Sequence, residues 1–348
     1  MNASTLSAPT CTAGPLDLVL EGDPGVFAAS LAVRTLAEGL HEVTLALRAA
    51  PPAAPPDLNL TFTLPCRDIH ARWRGDHGHS RTMEPDWSRT AVSARACSQA
   101  PLLCLHSEDG RNRLTLAGSD ALHPTRIGAG LREETAGFVG EVRPFPTPRA
   151  ATTAATFTLR VDLRDLPFER SVADAVRWWE GLPGLAPLAV PDRGRLPMYS
   201  TWYSFHQSLD PAAVEHQCRL ARDLGCGAVI VDDGWQTTDN QRGYAFCGDW
   251  KPTRLADLAG HVGRIHDLGM DFLLWYSVPF IGHRSQAHGR FVGKFLRDDT
   301  RLQTSVLDPR FAEVRDYLIG TYERAVRDWN VDGLKLDFVD AFTLPKDA

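Results

Sequence analysis

Two rhythms of apolar and polar positions divide the 348 residues. From Leu16 to about Leu166 the apolar runs are short and alternate with polar positions: "LDLVLEGD", "EVTLALRA", "LNLTFTLP", "RNRLTLAG" and "ATFTLRVDLRDL". Turn-rich stretches such as "PPAAPPD" and "SEDGRN" separate them. A period of two places alternate side chains on opposite faces of a strand, so each run reads as a half-buried strand. Many such runs with Gly, Pro and Asp punctuation predict an antiparallel β-sandwich over residues 1–165. The stretch "SVADAVRWWEGLPG" then predicts a helix, with Ser171 as N-cap and Gly184 past its end. Together with the following "LAPLAVPDRGRLP" it makes a helix and linker over residues 166–196.

After Pro197 the rhythm lengthens. "MYSTWYSF", "GAVIVDDG", "DFLLWYSV" and "GLKLDF" read as short apolar strands. Between them lie helical patterns: "DPAAVEHQCRLARDLG", with Asp210 at N-cap, Pro211 at N1 and Gly225 beyond the last turn, then "RLADLAGHVGRIHDLG" and "RFAEVRDYLIGTYERAVRDWN". Alternating strands and helices predict parallel βα units. No GxGxxG follows the first strand, which counts against a dinucleotide-binding sheet. The predicted fold is therefore a β-sandwich followed by an incomplete (β/α)8 barrel, with the first four βα strands in residues 197–348.

Composition narrows the function classes. The chain is 43% hydrophobic and 23% charged, with a net charge of −6, which is ordinary globular composition without the basic patch of a nucleic-acid binder. No apolar run approaches the roughly 18 residues of a membrane helix, and the N-terminus lacks the pattern of a signal peptide. Seven scattered cysteines without metal-like spacing fit a reducing, cytoplasmic setting. "HGH" at His77–His79 reads as a turn in a polar loop, since no further ligands cluster with it in the sequence.

In a barrel, chemistry sits at the C-terminal ends of the strands. Those ends are rich here in aromatic and charged residues: Trp202 and Tyr203, Asp232-Asp233-Gly234-Trp235, Trp275 and Tyr276, and Lys335 with Asp337. Alternation puts Lys335 and Asp337 on one side of their strand, with Leu334, Leu336 and Phe338 toward the helices. A neighbouring ammonium keeps a carboxylate ionised, as a nucleophile requires, but a structural ion pair would look the same. Asp232 and Asp233 have the chemistry to grip sugar hydroxyls, or to form a plain turn. Trp250 in "CGDWKP" suits either a stacking surface for a sugar or a loop anchor.

Taken in order, "WYSF…DDGWQ…GDWKP…GMDFLLWYSVP…VLDPR…VDGLKLDF" resembles the melibiase-type α-galactosidases of glycoside hydrolase clan D, family 36, over about Pro197–Phe342. The resemblance implies a retaining exo-enzyme that in its full-length form removes terminal α-linked galactose from oligosaccharides, works without metal or organic cofactor, and assembles as a homo-oligomer. It implies Asp337 as nucleophile, with Lys335, Asp232, Asp233, Trp250 and Trp202 binding the sugar. The family's acid/base aspartate lies on a later strand. No residue here matches it, so the chain reads as a fragment whose own activity is lost. Asp308 and Asp340 are near carboxylates, and neither is expected to substitute. Alternatives within the class are an α-N-acetylgalactosaminidase or a raffinose-synthase-like galactosyltransferase. Outside it stand a non-catalytic galactoside-binding protein or a decayed partial gene product.

Overall fold

A computed structural model describes residues 9–75, 78–88, 91–95, 99–120, 123–241 and 244–343. His77 of the HGH stretch lies outside them, while Gly78–Ser80 forms a short strand rather than a turn. The chain divides into two compact units, Met1–Leu188 and Ala189–Ala348.

The first unit holds two antiparallel sheets. One runs, in spatial order, Thr10–Ala13, Leu16–Glu21, Asn59–Pro65, Gly137–Arg143, Thr125–Arg132 and Val92–Ala94. The other runs Ala28–Ala37, Leu40–Ala53, Thr152–Asp162, Asn112–Gly118, Leu102–His106, Ala71–Arg74 and Gly78–Ser80. All five alternating runs of the sequence are strands. Their apolar positions meet in one core, where Leu16, Leu18, Leu60 and Phe62 of the first sheet join Val43, Leu45, Leu114, Leu116 and Phe157 of the second. Each such fully buried side chain contributes about 1.5–3 kcal/mol.

The predicted helix spans Phe168–Glu180, so Ser171 lies inside it rather than at its cap. Pro167 takes the N-cap position with φ −53°, and the Ser171 hydroxyl donates to the Phe168 carbonyl at 2.9 Å. Ala175 and Trp179 pack on Leu102, Cys104 and Ala117, and the Trp179 indole donates to the Gly118 carbonyl at 2.8 Å. This amphipathic face makes the helix part of the sandwich unit, so only the stretch after it remains as a connection in residues 166–196.

The second unit is built on a four-stranded parallel sheet in sequential order: Met198–Ser200, Ala228–Val231, Asp271–Ser277 and Gly333–Asp337. Helices Pro211–Asp223, Leu258–His266 and Ala312–Trp329 connect them. The Asp210 carboxylate caps the first, accepting from the Ala213 N–H at 2.7 Å. Asp257 caps the second in the same way through Gly260, which starts that helix later than its sequence pattern suggests. The first strand is shorter than expected. Pairing ends at Ser200, and Trp202–Phe205 coils into a helical turn.

A small antiparallel sheet of Phe280–Gly282, Thr304–Leu307 and Phe295–Asp299 is inserted between the third parallel strand and the last helix. Its strands are three to five residues long, too short to show a period in the sequence. The fourth parallel strand pairs on one side only among the described residues. Leu336, expected under a helix, is 48% exposed. No helix among the described residues is long and apolar enough to cross a membrane.

Candidate active site

Parallel pairing brings the C-terminal ends of the strands side by side. The register sets Trp275 against Lys335 and Ser277 against Asp337. Lys335 Nζ donates to Asp232 Oδ2 at 2.6 Å and stands 3.5 Å from Asp337 Oδ2. The Asp232 side chain is only 4% exposed, whereas Lys335 and Asp337 are about a third open to solvent. One ammonium thus neutralises two carboxylates, one sealed and one accessible. Burial opposes the Lys335 charge, but the bond to Asp232 and the fields of Asp232 and Asp337 outweigh it and hold its pKa above the ordinary lysine value.

Asp337 is oriented from two sides. The Trp275 indole N–H donates to its Oδ2 at 3.0 Å, and the Phe338 backbone N–H donates to its Oδ1 at 2.9 Å. Phe338 itself sits at φ +60°, a left-handed conformation that costs a bulky residue of order 1–3 kcal/mol. Its ring packs against Phe280 and Tyr244, and Tyr244 in turn faces Trp275. The aromatic packing holds the strained turn in place.

The aspartate pair is anchored by residues the sequence did not single out. The Asp232 backbone N–H donates to the Thr201 hydroxyl at 3.0 Å. The Asp233 carboxyl accepts from the Gln207 and Gln236 side-chain amides, both at 2.7 Å. Burial pushes the Asp233 carboxyl above its usual range, the two amides oppose that, and the adjacent Asp232 charge adds to it. Gly234 has φ +110°, and a Cβ there would lie 2.6 Å from the Gln207 backbone. Only glycine permits this close turn. Gln236 directly follows the DDGW motif and was legible as a polar neighbour. Thr201 and Gln207 carry no such signal, because their role arises only from the parallel pairing of two strands.

Trp250 is turned away from solvent. Its side chain is only 6% exposed and sits among Trp235, Trp275 and Tyr276, with ring centroids 6.0, 6.2 and 4.8 Å away. Its contacts here are those of a loop anchor. Trp202 lies in the helical turn after the first strand, half-buried, with its ring edge against His206 at 4.8 Å. Asp308 is buried and held in an ion pair by Arg310 at 2.7 Å, which draws its carboxyl below the usual range. Asp340 is exposed in a 3-10 turn. Among the described residues no cluster of three or more His, Cys, Asp or Glu could hold a metal.

Known proteins share part of this sequence and its fold. Residues 189–346 match the melibiase family model. The chain is 26% identical over 163 residues to α-galactosidase AgaA of Geobacillus stearothermophilus, covering 44% of this chain and 22% of that protein. It is 29% identical over 160 residues to α-galactosidase 2 of Pediococcus pentosaceus, covering 42% and 22%. Among solved structures, the Geobacillus AgaA enzyme in complex with raffinose superposes with TM-score 0.59 at 15% identity, over 94% of this chain and 50% of that one. The Thermus thermophilus α-galactosidase TtGalA in complex with stachyose superposes with TM-score 0.57 at 19% identity, over 95% and 67%. The chain thus spans about half the length of the AgaA structure. Residues 189–346, the segment that carries the ordered motifs, thus match the melibiase family.

Proposed function

We propose that the second unit is the first four strands of a (β/α)8 barrel, and that it carries the sugar-binding and nucleophile half of a retaining exo-α-galactosidase acting on α-galactoside oligosaccharides. The observation that carries this reading is the Lys335 bridge between a sealed and an open carboxylate at the strand ends. Asp337, oriented by Trp275 and Lys335 at its Oδ2, attacks the anomeric carbon as the glycosidic bond to the leaving oxygen breaks. Asp232, Asp233 and Lys335 hydrogen-bond the galactose hydroxyls. A site that bonds an axial hydroxyl rejects the epimer, whose binding would leave buried polar groups unpaired.

Retention requires a second carboxyl about 5–5.5 Å from the nucleophile that stays protonated until it delivers to the leaving oxygen. Asp232 is not assigned that role, because its side chain is only 4% exposed and its Oδ2 accepts from the Lys335 ammonium at 2.6 Å. The acid is assigned to no residue of this chain.

The test avoids the need for an acid. An activated 2-deoxy-2,2-difluoro α-galactoside carries a leaving group that departs without protonation. Incubated with the full chain, it should add one difluorogalactosyl unit in the intact mass, mapped to Asp337 and absent in Asp337→Asn. No adduct, or an adduct unchanged in Asp337→Asn, would refute the nucleophile assignment.

A further inference from the structure

A cavity of about 350 Å³ lies beside Gln236, lined also by Phe246, Lys251, Arg284, Asp239 and Asp249. Its size falls within the range of small-molecule sites. Gln236 belongs to both places, since its side-chain amide donates to Asp233 while the residue lines the cavity.

The walls are fixed before any ligand arrives. Arg254 clamps one of them, donating from Nε to the Gly234 and Thr237 carbonyls, both at 3.1 Å, and from its terminal nitrogen to Asn240 at 2.7 Å. The opposite wall is tied by the Gly282 N–H to the Cys247 carbonyl at 2.7 Å and the Arg284 N–H to the Ala245 carbonyl at 2.8 Å. Such pre-organisation lowers the cost of binding.

The charges of this cavity are unevenly committed. Asp249 accepts from the backbone N–H groups of Gln286 and Ala287, both at 3.0 Å, and Asp239 accepts from that of Gln241. Lys251 and Arg284 have no carboxylate partner among the described residues, and the Arg284 guanidinium lies 5.8 Å from the Phe246 ring centre. Two open cations beside an aromatic face and threonine hydroxyls suit a sugar unit that bears a negative charge.

We infer that this cavity is a subsite for an anionic sugar unit, carboxylate- or phosphate-bearing, attached to the galactose held by the carboxylate pair. The inference rests on the galactoside reading of that pair. The probe is melibionate, melibiose with its glucose oxidised to the carboxylic acid, titrated calorimetrically into the full chain beside melibiose, gluconate and inorganic phosphate. Melibionate should bind about tenfold more tightly than melibiose at low salt. The Lys251→Met/Arg284→Met variant should abolish that preference and leave melibiose binding unchanged. Equal affinity for melibionate and melibiose, or a preference that survives in the variant, would overturn the subsite. So would gluconate or phosphate binding as tightly as melibionate, because the cavity would then act apart from the galactose. Failure of melibiose itself to bind would instead strike the galactoside reading on which the subsite depends.

Discussion

Replacing Lys335 by methionine removes the cation from between Asp232 and Asp337 and keeps the aliphatic stem. Asp232 is then a nearly sealed carboxylate without a counter-ion. Breaking a fully buried ion pair from one side costs about 3–5 kcal/mol, and a surface pair contributes about 0–1 kcal/mol. Lys335 is 35% exposed in its side chain, so its ammonium is partly solvated, and the 2.6 Å bond to Asp232 lies between these limits. The expected loss is about 2 kcal/mol, or about 4–8 °C in melting temperature for a unit of this size. Urea and thermal unfolding of the full chain would measure it. Adding Asp232→Asn to the same chain should recover most of the loss, because the stranded charge is removed. The pH dependence has a definite sign. The folded-state pKa of Lys335 is raised, so its contribution is complete below its unfolded value of 10.5 and fades only as pH climbs through the higher folded value. A loss below about 0.5 kcal/mol, or a double variant no more stable than the single one, would refute the claim that this bridge compensates a buried charge.

Three further outcomes follow from the same geometry. Gly234→Ala must place a Cβ 2.6 Å from the Gln207 backbone at φ +110°, so it should lose about 3 kcal/mol or more in urea unfolding and abolish galactoside binding. Trp275→Phe deletes the 3.0 Å donor to Asp337 and leaves a gap at a fully buried ring, so labelling by the difluorogalactoside should slow about tenfold and the melting temperature should fall by a few degrees. At the helix interface, burial works against the Glu215 charge, yet bonds from Arg264 and His261 prevail and lower its pKa, while burial keeps that of His261 below its usual 6.5. Both depressed values mean stability present at neutral pH and lost toward acid, from about pH 6.5 for His261 and from about pH 4.5 for Glu215. Glu215→Gln should therefore lower stability at pH 7 and flatten the acid limb of a plot of melting temperature against pH.

Much of this protein is local, and local features are readable from a single chain. Alternation along Leu16–Glu21 or Asn59–Pro65 reflects one buried and one open face, which each strand carries by itself. The Asp210-Pro211 start of a helix needs only neighbouring atoms, and the Lys335–Asp337 spacing needs only the pleat of one strand. The segment 166–196 was less legible, because whether a helix joins a domain depends on the sheet its apolar face meets. The short strands inserted after the third parallel strand were hidden by their length.

The residue types and order of the candidate site were determined along the chain: a DDGW after one strand, aromatics at the end of another, a KxD on a third. What tertiary structure alone decided is who meets whom. Parallel register laid Trp275 against Lys335, sent the ammonium to Asp232, and brought Thr201 and Gln207 under the carboxylate pair. Those partners lie between 26 and 103 residues apart. A periodic pattern carries information only about a side chain's own face, whereas contacts at that separation are set by the packing of whole strands, which no local pattern encodes.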